Sequence, residues 1–319
     1  MNTLHKYCLV FVLYVISHCT VANTEAGLLA MEQGKIQDAI KLFESADSDF
    51  RAQLGLAQIY MEINQDEAEE WINKAVKQQP DHAEAQYTKG IIMANQAQNS
   101  IFSALGYAKK SKKAFARAVM LEPQSIKYLT GLFGFNVGAP SIAGGDLEEA
   151  ALLVDKIAEI DPVEGIMAKI DLAVANEELK LAHDLLESGV QQFKQNADLA
   201  YHAGMFYQDL ENFEQALVWF EKASELAVDS DKVTQFAAIY QLGRTSVLGK
   251  LNQKRGIQAL ESFLENAPSH PDLAEKPWVE FRLAQLYEQD GDVNKAKIIY
   301  KRLVKTDDKR LRKKVKRQM

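Results

Sequence analysis

Cysteine is nearly missing from this chain, and its two copies sit together: only Cys8 and Cys19 occur, both near the start. They fall within MNTLHKYCLVFVLYVISHCTVANTEA, where one lysine precedes an unbroken apolar run from Tyr7 to Ile16, followed by small and polar residues up to Ala22. That order predicts a secretory signal peptide over residues 1–22, cut after Ala22, and an exported chain. A rival reading makes Cys19 a lipid-modified terminus, but His18 then stands where a small residue is wanted. Once the segment is removed, no disulfide, thiol nucleophile or cysteine-held metal is available. The rest must be held by apolar burial, which a hydrophobic content of 47% permits. No later stretch reaches the roughly 18 apolar residues that a membrane helix requires.

Catalytic and ligand-binding signatures are missing too. Beyond the leader the histidines are His82, His183, His202 and His270, with no HExxH pair, and no GxSxG elbow is present. The glycines of "NVGAPSIAGGDLEEA" (136–150) suggest a phosphate loop, but Gly144-Gly145 lead into Asp146, Leu147 and Glu148. A P-loop needs Lys and then Ser or Thr there, and acids repel phosphate. Asp146 instead reads as a helix N-cap, with Glu149 completing a capping box. The DGDVN run at Asp290–Asn294 starts like a calcium loop and then places Lys295 and Lys301 where Gly and Glu belong. The sequence therefore predicts no enzyme, no cofactor and no metal.

Charge is abundant but segregated. The chain carries −7, or −8 without Lys6, while residues 305–319 hold eight Lys/Arg against two Asp. The body is thus strongly acidic, which disfavours nucleic acid as a partner. The tail reads either as a short amphipathic helix capping the protein on Leu311 and Val315, or as a tether to anionic headgroups.

What the sequence has in quantity is a repeat. In AYHAGMFYQDLENFEQALVWFEKASELA, Gly204, Tyr207, Ala216, Phe220 and Ala223 mark two helices in which small residues allow close approach and Phe220 fills the gap. The pattern recurs through Gly27, Ala39, Phe43 and Ala46; Ala68, Ala75 and Pro80; Gly90, Phe115, Ala118 and Pro123; and on to Ala284, Gly291, Ala296 and Tyr300. These residues resemble the tetratricopeptide repeat (TPR), whose period is about 34 residues. The resemblance implies an all-α, right-handed superhelix of about eight helical hairpins over residues 23–304, followed by a basic helix or tail over 305–319. Two units are oversized. In the third, the apolar spacing of AQNSIFSALGYAKKSKKAFARAV predicts one lengthened helix; in the fourth, the surplus is the Gly-rich stretch, expected to project from an edge of the solenoid. The "GYAKKS" helix together with the "AP…GG" turn is similar to a group of TPR proteins of the Gram-negative bacterial envelope.

Carried over from the TPR family, the position three residues before the small residue of each first helix faces the concave groove. It holds Tyr87, Tyr128, Tyr201, Tyr240 and Phe281, an aromatic ladder; the alternative is that these rings only shield the small residue. Met205, Gln208, Asp209, Arg244, Trp278, Gln285 and Glu288 are the neighbouring groove positions by the same carry-over. The resemblance implies a non-catalytic periplasmic adaptor that binds an extended or helical segment of an envelope protein in that groove. The second reading is a small-ligand or membrane-surface binder that uses the Gly-rich loop or the basic tail.

Overall fold

A computed structural model describes residues 20–100, 102–228 and 231–319. The predicted signal peptide, with Cys8 and Cys19, lies outside the described residues except for positions 20–22, which are helical. Every extended regular element among the described residues is α-helical, as the repeat resemblance implies. In chain order they are α1 (residues 20–32), α2 (Ile36–Glu44), α3 (Phe50–Ile63), α4 (Gln65–Gln78), α5 (Ala83–Asn99), α6 (Ala104–Leu121), α7 (Ile126–Gly138), α8 (Leu147–Ile160) and α9 (Pro162–Ala175). They continue as α10 (Leu179–Gln192), α11 (Ala197–Asp209), α12 (Phe213–Leu226), α13 (Lys232–Gly249), α14 (Gln253–Asn266), α15 (Lys276–Gln289), α16 (Val293–Leu303) and α17 (Lys309–Gln318). Taken two at a time, the first sixteen give eight first-and-second-helix pairs of an α-solenoid. The chain divides into two compact units, one ending at Ala182 and the other beginning at His183.

The starts of the helices follow from short polar side chains. Asp49, Asp146, Asp161, Asn196, Asp231 and Asp308 each accept a hydrogen bond from a backbone N–H of the first turn, and Pro162 occupies a position where no N–H is needed. Asp292 does the same for α16, accepting from the Lys295 N–H at 3.1 Å. Its carboxylate, which a calcium loop would have used as a ligand, is spent on the polar turn between two helices.

Four of the pairs close on a glycine of the first helix and a large residue of the second: Gly27 on Phe43, Gly90 on Phe115, Gly204 on Phe220 and Gly243 on Leu260. A Cβ on Gly204 would lie 2.5 Å from the Phe220 ring, and Gly90 stands in the same relation to Phe115. Phe43 is gripped between Gly27 and Gly55. Phe220, Ala216 and Ala223 are fully buried, so Phe220→Ala would cost about 3–5 kcal/mol. The core is accordingly a series of local clusters, each shared by neighbouring helices, as expected when a repeat contacts only its neighbours.

The oversized units differ from expectation. The third contains two long helices, not one: α5 ends at Asn99, and α6 starts at Ala104. The two helices pack along each other, so each carries an apolar stripe of its own and helical spacing is present on both sides of the break. In the fourth, the Gly-rich stretch does not project freely. It folds back on α6, whose Lys112 Nζ donates to the Gly144 carbonyl at 2.9 Å and pairs with Glu149 at 2.8 Å. Asp146 caps α8 through the Glu149 N–H at 3.0 Å, as predicted. The reciprocal half of the capping box is absent, because the Asp146 N–H goes to the Asn136 carbonyl at 3.0 Å. That carbonyl would serve residue 140 in a continuing helix, but Pro140 has no N–H to offer.

Candidate functional site

The aromatic ladder has a structural use. Tyr87 meets Phe115 with ring centroids 5.5 Å apart, Tyr201 meets Phe220 at 5.6 Å, Tyr240 meets Phe263 at 6.0 Å, and Phe281 meets Tyr300 at 6.1 Å. In every case a first-helix ring packs on the second-helix ring of its own hairpin. Tyr87 also touches Tyr128 at 5.2 Å, and a Cβ on Gly131 would lie 2.5 Å from the Tyr87 ring. Packing on the second-helix ring therefore gives the position a structural use, and three of the expected contact residues are buried. Phe281 is 2% exposed, Tyr128 6% and Gln208 4%. Trp278 is half-buried, with its indole N–H donated to Asp308 at 2.9 Å. The Tyr128 hydroxyl donates to Glu84 at 3.1 Å, and burial, then that carboxylate, pushes its pKa well up.

Half-buried Tyr201, Met205, Tyr240 and Arg244 remain on the first helices of the second unit, where α11 and α13 touch. A polar network joins Tyr201 and Arg244. Gln241 donates to the Tyr201 hydroxyl at 3.2 Å; Gln208 donates to Thr245 at 2.5 Å; Arg244 donates to Gln208 and, at 3.2 Å, to Gln241. Arg244 is thus held by two amide carbonyls and, among the described residues, by no carboxylate within 4.0 Å. Gln241 and Thr245 were not among the expected groove residues. They sit beside Tyr240 and Arg244, and the carried-over pattern assigns those positions nothing.

The first unit holds a different feature. The overhanging ends of α5 and α6, the face of α7 and the fold-back turn enclose a cavity of about 520 Å³. Ala94, Leu105, Ala108, Gly134, Phe135 and Ile142 line it, and Gln98 supplies its one polar side chain. Ile142 stands at the turn 74% exposed. A Cβ at Gly134 or Gly138 would meet nothing within 4 Å, so neither glycine is there for close packing. Glycine inside a helix costs about 0.5–1 kcal/mol relative to alanine. Gly134→Ala should therefore raise the unfolding free energy by about that much while filling part of the cavity, a result that urea titration reads directly. None of the expected groove residues lines this cavity.

Tetratricopeptide repeat family profiles match residues 30–92, 197–227 and 279–309, each falling on the helix pairs described above. The chain is a tetratricopeptide repeat protein. The TPR likeness extends to solved structures. A tetratricopeptide repeat protein from Parabacteroides merdae ATCC 43184 aligns with a TM-score of 0.51 at 12% identity, covering 84% of this chain and 99% of that one. A thermophilic TPR protein of Thermus thermophilus aligns at 0.44 and 15%, covering 56% and 94%. At such identities the likeness concerns the fold alone. No curated protein matches the chain. TPR proteins are in general scaffolds for protein–protein interaction rather than enzymes.

Proposed function

We propose that the chain is an exported scaffold of the bacterial envelope that binds a segment of a protein partner on the first-helix face of its second unit. The observation that carries this reading is Arg244. It is a half-buried guanidinium oriented by Gln208 and Gln241, with no carboxylate among the described residues within 4.0 Å. Such a group is preorganised for an acidic side chain or chain terminus of the partner, with the open edges of Tyr201 and Tyr240 beside it. The mixed polarity suits a peptide better than a lipid tail.

Crosslinking in the native periplasm followed by mass spectrometry identifies the partner; binding to variants then tests the site. Arg244→Gln is expected to weaken capture by about 10–100-fold, the worth of a charged hydrogen bond. Tyr201→Phe keeps the ring on Phe220 and removes only the hydroxyl, and is preferable to alanine, which opens the core. Unchanged affinity in Arg244→Gln sinks the reading. The cavity of about 520 Å³ beside the Gly-rich turn favours a second one, in which the first unit takes a small apolar ligand; its size and lining are those of a small-molecule pocket.

A further inference from the structure

A second cavity of the first unit, about 670 Å³, is of the opposite character. It lies over α5, with Lys89 contributed by that helix, Lys110, Lys113 and Arg117 by α6, and Val76 and Met120 at its apolar side. In a chain carrying −7 overall, four cations around one cavity require an account. Arg117 is paired with Asp81. Lys110 lies 3.9 Å from Glu69 and over the Tyr107 ring. Glu69 is already shared, accepting from Tyr107 at 3.0 Å and from Gln96 at 3.2 Å. Among the described residues, Lys89 and Lys113 have no carboxylate within 4.0 Å. Four cations thus face two acids, and two positive charges are left over.

Lys89 bears the cost of this arrangement. It is half-buried; burial lowers its pKa, Lys110 lowers it further, Glu69 on α4 opposes them, and Lys113 adds to the repulsion. Uncompensated like charges around a partly desolvated lysine destabilise the folded state, and a solvated glutamine in its place would not. The arrangement makes sense when an anion occupies the cavity.

We infer that the Lys89–Lys110–Lys113 cavity is a binding site for a phosphate monoester. The charge left over is two, which matches the charge of close to −2 that such a group carries at neutral pH. Lysine ammonium groups bind phosphoryl oxygens as point charges, and Val76 and Met120 offer apolar surface to the ester's organic part. The site lies in the first unit and uses none of the residues of the peptide-binding reading, so either stands without the other.

The test is calorimetric titration of the full chain with phenyl phosphate at low ionic strength, beside co-sedimentation with phosphatidylcholine vesicles containing phosphatidic acid. A soluble ester and a lipid headgroup share the phosphoryl chemistry, and the two arms separate them. Saturable single-site binding in either arm is expected. It should weaken about tenfold or more in Lys89→Gln and in Lys113→Gln, and stay unchanged in Lys109→Gln, an exposed lysine of the same helix that does not line the cavity. Lys89→Gln should melt no lower than the parent chain, so a loss of binding cannot be assigned to unfolding. Absence of saturable binding in both arms overturns the inference, as does equal weakening by Lys109→Gln, which would mean diffuse attraction to a basic helix.

Discussion

Gly145→Ala is expected to destabilise the first unit by on the order of 4 kcal/mol. A Cβ at this position would lie 1.7 Å from the Ala139 carbonyl oxygen and 2.7 Å from its carbon. Both are backbone atoms, so no rotamer relieves the overlap, and the turn must open. Opening breaks the bonds from the Gly145 N–H to the Pro140 carbonyl at 3.2 Å and from the Asp146 N–H to the Asn136 carbonyl at 3.0 Å. It also withdraws the Gly144 carbonyl from Lys112. Gly144 is a milder case, with φ at +103° and only the Lys112 chain and Phe135 ring at ordinary contact distance; alanine there costs about 1–3 kcal/mol of backbone strain. Gly138→Ala meets nothing and should not destabilise. Urea unfolding of the three variants checks the order 145, 144, 138. A Gly145→Ala chain within about 1 kcal/mol of the parent would refute the close approach, a difference well inside what such titrations resolve.

The same stretch shows what the sequence made legible. That Gly144-Gly145 is a turn leading into a capped helix followed from Asp146, because a short acidic side chain at a helix start is readable without coordinates. The pairing of Gly204 with Phe220, and the eight helix pairs, followed from spacing, because small and large residues recur at helical intervals. The break between α5 and α6 was not legible, since each helix carries its own apolar stripe and no proline or glycine separates them. The ladder was legible as a position; its second use, covering the second-helix ring, was not, because it depends on how the two helices of a hairpin pack, which buries Tyr128 and Phe281 and leaves Tyr87, Tyr201 and Tyr240 half-buried. The Lys89 cavity was beyond reach, because Lys89 and Lys113 lie 24 positions apart and each alone reads as a solvated surface charge. Its one sequence signal is KKSKK at 109–113, a run of lysines inside an acidic body.

Replacing both apolar residues of the basic tail, Leu311→Ala with Val315→Ala, should remove on the order of 5 kcal/mol from the stability of the second unit. Each is 0% exposed and belongs to the cluster formed by α13 to α17. They are neighbours in one helix, so their losses are not strictly additive. Asp308 fixes the start of α17 by accepting from the N–H groups of Arg310 at 2.7 Å and Leu311 at 3.0 Å, and it takes the Trp278 indole N–H as well. Burial alone would raise the Asp308 carboxyl pKa; the N–H groups of Leu311 and Arg310 and the indole outweigh it and hold the pKa below the usual carboxylate range. The contribution is therefore complete at neutral pH and lost as pH falls through that depressed value. Hydrogen exchange should show α17 opening with α15 and α16 in the parent chain, and opening alone in the double variant or in acid. With both apolar side chains buried, α17 has only its Lys and Arg to offer a membrane, at about 1 kcal/mol each near the surface and less in salt. The parent chain should accordingly not pellet with anionic vesicles through this helix at physiological salt, whereas the double variant, with α17 released, should pellet at low salt. A tail-dependent pellet of the parent that survives salt would mean that α17 leaves the core, and would replace the cap by a tether.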